Sequence, residues 1–191
     1  PEKPTFENTV SALERAGDLL TRASDIFWNL VGANTNDTLQ ELERKLSPEL
    51  SRHHSAIMMN RSLFGRIDAL YRNRESLGLD AEASRVLELK GKSFVRSGAK
   101  LNESDQTQLA AINERLATLG TAFSQNVLAD ERDYVLPVPD HGLGGLPDWL
   151  VRAMRAAARE RGLAGQVVTL NRSLIVPFLE HAEERTLREV A

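Results

Sequence analysis

The stretch Leu109-Ala110-Ala111-Ile112-Asn113-Glu114-Arg115-Leu116-Ala117-Thr118-Leu119-Gly120-Thr121-Ala122-Phe123 places its large apolar residues three, four, three and four apart. That is the repeat of an amphipathic helix with a coiled-coil-like seam. The polar, acidic start Asn102 to Asp105 leads into it. A seam of this kind predicts near-parallel packing on a neighbouring helix at about 20°. Truncating its centre, Leu116→Ala, would then cost about 2–5 kcal/mol if the residue is buried.

The segments on its N-terminal side repeat the same logic. Phe6, Val10, Leu13, Leu20, Phe27, Leu30 and Val31 draw one stripe along a single helix, with Gly32 and Asn34 as its stop. Asp37 and Thr38 open the next helix, Glu41 stands three after Thr38 as in a capping box, and Pro48 predicts a kink near Ser47. Asn60 to Ser62 marks another break. Leu63, Phe64, Ile67, Leu70 and Tyr71 then share a face up to Gly78, and Asp80 caps a helix that runs to Gly98.

After position 133 the pattern changes. Tyr134 to Pro139 reads as a short edge strand, Pro147 to Arg161 as a helix stopped by Gly162, and Gln166 to Asn171 as a second strand able to pair with the first. A last helix is expected from Ile175. The fold class is therefore mainly α, an antiparallel helical bundle or array with a small two-stranded α+β appendage. The expected divisions are a helical domain over 1–133, a strand-helix-strand insertion over 134–172, and over 173–191 the start of a helix leading into a further body. The chain opens on Pro1 and closes inside a helical pattern, so both ends read as cuts and no targeting signal is expected to show.

Composition narrows the classes. Apolar residues make up 41% and charged residues 27% of 191, and no apolar run approaches the ~20 residues of a membrane span. There is no cysteine, hence no disulfide framework and no thiolate ligand or nucleophile. A formal charge of −3 gives no field that would gather phosphate backbone, so neither nucleic acid nor membrane is an expected partner. Cytoplasm is the expected location, with periplasm left open.

Few residues suggest chemistry. His53 and His54 are adjacent and point about 100° apart on a helix, and adding Glu49 still gives fewer than the three protein ligands of a catalytic zinc site. His181 with Glu184 is one three-spaced pair in a charged helix. The turn His141-Gly142-Leu143-Gly144-Gly145-Leu146 lacks the third glycine of a dinucleotide fingerprint, because position 147 is proline, and it reads as a flexible surface turn. Arg152, Arg155 and Arg159 beside Trp149 and Leu150 form a basic face that reads as solvated, or as a surface for an acidic partner. Phe27 with Trp28, and Met58 with Met59, read as core rather than as a peptide groove. No catalytic and no metal-binding residue is assigned, and substrate-binding residues remain unknown.

Several ordered segments carry a resemblance: Thr5 to Leu13, Gly32 to Leu39 with Thr35-Asn36, Leu77-Gly78-Leu79, Ser93-Phe94-Val95-Arg96-Ser97-Gly98-Ala99-Lys100-Leu101, and Phe123-Ser124-Gln125-Asn126-Val127-Leu128. In that order and spacing they resemble the N-terminal region of a thimet-type zinc metallopeptidase. The Phe94 to Ala99 segment is most similar to the peptidyl-dipeptidase branch, whose relatives include oligopeptidase A, thimet oligopeptidase and neurolysin. Val167 to Arg188 resembles the bridge into the main body of such enzymes. The resemblance implies a non-catalytic domain that walls a deep channel and admits only short peptides. It also implies zinc and catalysis elsewhere, since this chain has no His-Glu-x-x-His. The implied partners are the catalytic half of the same polypeptide and short peptide substrates. Apolar surface left by a missing body would make the piece self-associate. The competing expectation is a stand-alone helical protein-binding module.

Overall fold

A computed structural model describes residues 2–191. About three quarters of the chain is helical, with one two-stranded antiparallel sheet. The chain divides into two compact units, Pro1–Ala122 and Phe123–Ala191.

The first unit begins with a π-helical turn, Phe6–Ser11, that runs into a single α-helical turn, α1 (Ala12–Glu14). Thr5 and Asn8 cap this start reciprocally, the Thr5 hydroxyl accepting from the Asn8 N–H at 3.1 Å and Asn8 Oδ1 from the Thr5 N–H at 2.8 Å. The single long helix expected from Phe6 to Val31 is broken at Gly17, whose φ of +85° only glycine adopts freely, and α2 (Asp18–Ala33) starts afresh there. Helix α3 (Asp37–Met58) is capped by Asn36, which accepts from the Leu39 N–H at 2.9 Å, rather than by Thr38. Glu41 accordingly turns to Lys45 at 2.6 Å instead of back to the cap. Pro48 lies inside α3, which continues on both sides of it.

Helices α4 (Arg61–Arg72) and α5 (Ala81–Arg96) are capped by Asn60 and Asp80, each accepting from the N–H three residues on. The α4 helix stops at Arg72, and a short 3-10 turn, Arg74–Ser76, intervenes before Gly78. The core of this unit forms where the α4 face meets α5 and the N-terminal turn. Val10, Leu70 and Leu87 make one buried cluster, and Met58, Ile67, Phe94 and Ala99 another. The Phe64 and Phe94 rings stack at 6.3 Å within the second.

Helix α6 (Glu103–Asp133) overturns the packing expected of it. Its seam residues Ile112 (54% exposed), Leu116 (61%) and Leu119 face outward, and so does Phe123 (69%). The one buried residue of this helix is Thr121, and the partly covered face carries Ala110, Asn113 and Ala117. Small and polar side chains thus make most of the inward contact, Leu109 beside Gly98 is partly covered, and the other large apolar seam residues are left outside.

In the second unit, β1 (Leu136–Val138) and β2 (Gln166–Val168) pair antiparallel with Leu136 opposite Val168. Helix α7 (Asp148–Glu160) lies against β2 with Leu150, Met154, Ala157 and Ala158 buried. Helix α8 (Arg172–His181) adds Leu174 and Phe178 to the same cluster. The last helix was expected from Ile175 in one piece. It starts instead at Arg172, where Asn171 accepts from the Ser173 N–H at 2.9 Å, and breaks before α9 (Arg185–Val190).

Candidate functional surfaces

The histidines are exposed and separate. His53, His54 and Glu49 are exposed on α3, and His181 is exposed at the end of α8. Glu184 serves as a cap. It accepts from the Thr186 hydroxyl at 2.6 Å, and that hydrogen bond, followed by the Thr186 N–H, holds its carboxyl below the usual carboxylate range. Among the described residues no three His, Asp or Glu side chains converge in a group able to hold a metal ion. The described residues therefore assemble no donor set that fits zinc.

The turn 141–146 is not the flexible surface turn expected. It includes a 3-10 turn, Asp140–Leu143, and Gly142 is buried. Gly144 accepts from the Glu183 N–H at 3.1 Å. A Cβ on Gly145 would lie 2.3 Å from the His181 carbonyl oxygen, so this turn is docked on the end of α8 at backbone distance. Phe27 and Trp28 also depart from expectation. They meet edge-on at 5.0 Å, but both remain partly exposed on α2, a helix with no buried residue. Met58 is buried and Met59 half-buried. Arg152, Arg155 and Arg159 are exposed along α7 beside a half-exposed Trp149, with no carboxylate against them among the described residues.

Two concave surfaces lie in the first unit. One, about 270 Å³, lies between α4 and α5 over Phe64, Tyr71 and Val95, with Lys92, Arg96 and Lys100 along one side and Asp68 on it. A larger groove, about 420 Å³, runs between α3, α5 and α6. It is lined by His54, Met58, Met59, Arg96, Asn113 and Leu116, together with serines at 51, 55 and 97, and by no acidic residue. Sequence reasoning weighed His54 only as a metal ligand and named Arg96 only within a family-like segment. Asn113 was missed, because a polar residue beside a seam gives no signal of its own until the helices are assembled.

These features define a mainly helical framework with concave surfaces between its helices. The particular likeness is to peptidases. Over 191 residues the chain is 39% identical to the dipeptidyl carboxypeptidase of Escherichia coli (strain K12), covering 99% of this chain and 28% of that protein. It is 38% identical over the same shares to the dipeptidyl carboxypeptidase of Salmonella typhimurium. To oligopeptidase A of Haemophilus influenzae it is 27% identical over 186 residues, 97% of this chain and 27% of the relative. No protein-family profile matches the chain. The chain resembles the N-terminal part of a thimet-type peptidase, as its ordered segments implied, and the higher identity is with the dipeptidyl carboxypeptidases. It spans a little over a quarter of the length of the curated relatives it matches.

Proposed function

We propose that this chain is the non-catalytic N-terminal helical domain of a zinc metallopeptidase of the peptidyl-dipeptidase type, where it walls the substrate channel and restricts access to short peptides. The observation that carries the reading is the 39% identity along 99% of the chain, confined to 28% of a dipeptidyl carboxypeptidase. The outward apolar residues Ile112, Leu116 and Leu119 support it, because a helix with such a face is suited to meeting another body or an unfolded peptide. In this reading zinc and the catalytic groups lie in the rest of the polypeptide, and the partners are that catalytic half and short peptides. Nucleic acid and membrane have no part in it, and no described helix is long and apolar enough to cross a bilayer. The working divisions are 1–133, 134–172 and 173–191, and the working location is the cytoplasm, with export left open.

The test compares the 191-residue chain with the longer gene product on a blocked short peptide, each with added zinc and then with chelator. Dipeptide release by the longer protein alone, lost with chelator, is the expected result. Metal-dependent cleavage by the 191 residues themselves would overturn the non-catalytic reading.

A further inference from the structure

We propose that the depression between the end of α6, the end of α7 and the start of α8 binds a phosphate monoester, one phosphoryl group carrying an uncharged organic substituent. Every group involved lies within the second unit, and the inference does not rest on the channel-wall reading. Two concavities of about 290 and 390 Å³ share Arg161, Thr169 and Asn171, and so make one continuous depression around the end of α7. Together they have the size of a small-ligand site.

The unused donors select an oxyanion. Arg161 and Arg172 both line the smaller concavity, and among the described residues neither guanidinium meets a carboxylate. Arg132 beside them is taken by Asp133 through hydrogen bonds of 2.7 and 3.0 Å. Thr169, only 1% exposed, accepts from the Asn171 N–H at 3.3 Å, and its hydroxyl donates to none of the described residues. Asn171 is fixed in orientation, because its Oδ1 accepts from the Ser173 N–H at 2.9 Å and from the Ser173 hydroxyl at 2.7 Å. Its Nδ2 hydrogens are left for an acceptor from outside. Donors from four side chains suit a tetrahedral phosphoryl group, with three outer oxygens and about −1.5 to −2 charges, better than a flat carboxylate with two oxygens. The negative pole at the end of α7 and the positive pole at the start of α8 offset each other, so the arginines set the sign of the site.

The acids limit how much negative charge can enter. Glu131 lines one concavity and Glu160 the other, so a run of phosphates would meet a carboxylate on either side. Beyond Arg161 the lining turns to Ala153, Ala157 and Leu174, which suits an uncharged organic group. A single phosphoryl on the arginines with its substituent against the alanines satisfies both halves of the depression.

The test is a titration of the 191-residue chain with phenyl phosphate, with benzoate and with ATP at fixed ionic strength, followed by amide NMR shifts. Saturable shifts over residues 161–162 and 169–173 are expected, with phenyl phosphate bound at least about tenfold more tightly than benzoate and no less tightly than ATP. Arg161→Gln combined with Arg172→Gln should weaken phenyl phosphate at least about tenfold. Arg152→Gln combined with Arg155→Gln removes the same charge from the α7 face outside the depression and should change affinity less than about twofold. All four arginines are exposed, so unchanged melting curves verify that both variants fold. Shifts that do not saturate or that fall on other surfaces would overturn the site, and so would equal losses in the two variants, which would mean attraction by net charge alone. Benzoate bound as tightly as phenyl phosphate would overturn the phosphoryl assignment, and tighter binding of ATP the limit to one phosphoryl group. Peptidase activity of the longer protein is read in a separate assay, so the two readings fail independently.

Discussion

Thr121 of α6 donates its hydroxyl to the Ser47 hydroxyl of α3 at 2.9 Å, and this buried polar contact stands where a hydrophobic seam was expected. Small and polar side chains make this contact, and most of the large apolar side chains of α6 lie on its other faces. Thr121→Val should lose about 1 kcal/mol, because Ser47 keeps its position without its donor. Leu116→Ala, on the exposed side, should stay within about 0.5 kcal/mol of the parent protein. Urea unfolding of both variants decides the matter. A loss of several kcal/mol for Leu116→Ala would mean that the seam is buried after all.

The same exposed residues predict association. Ile112 and Leu119 lie on one outward stripe with Leu116, and α2 adds a strongly exposed Leu19 and Ile26. Exposed apolar side chains of this kind favour contact with another copy when no other body covers them. Sedimentation should show the 191-residue chain self-associating as concentration rises, and Ile112→Lys with Leu119→Lys should shift it towards monomer. A parent chain that remains monomeric at high concentration would count against the prediction.

The helix limits at Asn60 and Asp80 were legible because a cap is local, with the side chain bonding an N–H three residues away. The core face of α4 was legible for the same reason, since Ile67 and Leu70 follow directly from the helical repeat. The direction in which α6 points its seam was not, because periodicity gives a face and not its neighbour. Nor could the break at Gly17 be read, as Asp18 to Val31 continues an apolar stripe and the positive φ leaves no mark in it. The groove was illegible for a further reason. His54, Arg96 and Asn113 come from three helices and meet only after all three have packed.

Arg66 ties the start of the chain to α4. Its guanidinium donates to Asn8 Oδ1 at 2.7 Å, to the hydroxyl of buried Thr9 at 3.0 Å and to the Glu2 carbonyl at 2.9 Å. Arg66→Met keeps much of the stem but removes every donor, and should cost about 2 kcal/mol. Hydrogen exchange should quicken over residues 8–11 first. Arg15 and Glu7 also pair, at 3.2 Å, but both are solvent-exposed, so Arg15→Ala should change stability by less than about 0.5 kcal/mol. Similar losses in the two variants would show that the Arg66 contacts are as dispensable as a surface ion pair.

Gly145 and Gly162 separate backbone strain from steric space. Both have positive φ, +77° and +68°. A Cβ at Gly162 meets nothing within 4 Å, whereas one at Gly145 would come within 2.3 Å of the His181 carbonyl oxygen. Gly162→Ala should therefore cost about 1 kcal/mol from conformation alone, and Gly145→Ala at least about 2 kcal/mol with the turn forced off α8. Thermal melting and limited proteolysis around residues 139–147 report the difference. Equal losses would show that the turn moves freely.

Acid should act through Glu88. This half-buried carboxylate is hydrogen-bonded by Lys92 and, at 2.7 Å, by Arg85, and these contacts, Lys92 first, lower its pKa to about 2 from an ordinary 4.5. A carboxyl whose folded pKa is depressed binds protons more readily in the unfolded chain. Its stabilising effect is therefore complete above the unfolded value and is lost as pH falls from about 4.5 through about 2. Glu88→Gln cannot titrate, so its unfolding free energy should fall less steeply than the parent's across that window. Above pH 6 the two curves should run parallel, since Glu88 is then ionised in both the folded and the unfolded states. Denaturant unfolding at stepped pH measures this directly, and identical acid slopes for parent and variant would show that the Lys92 and Arg85 contacts do not persist in solution.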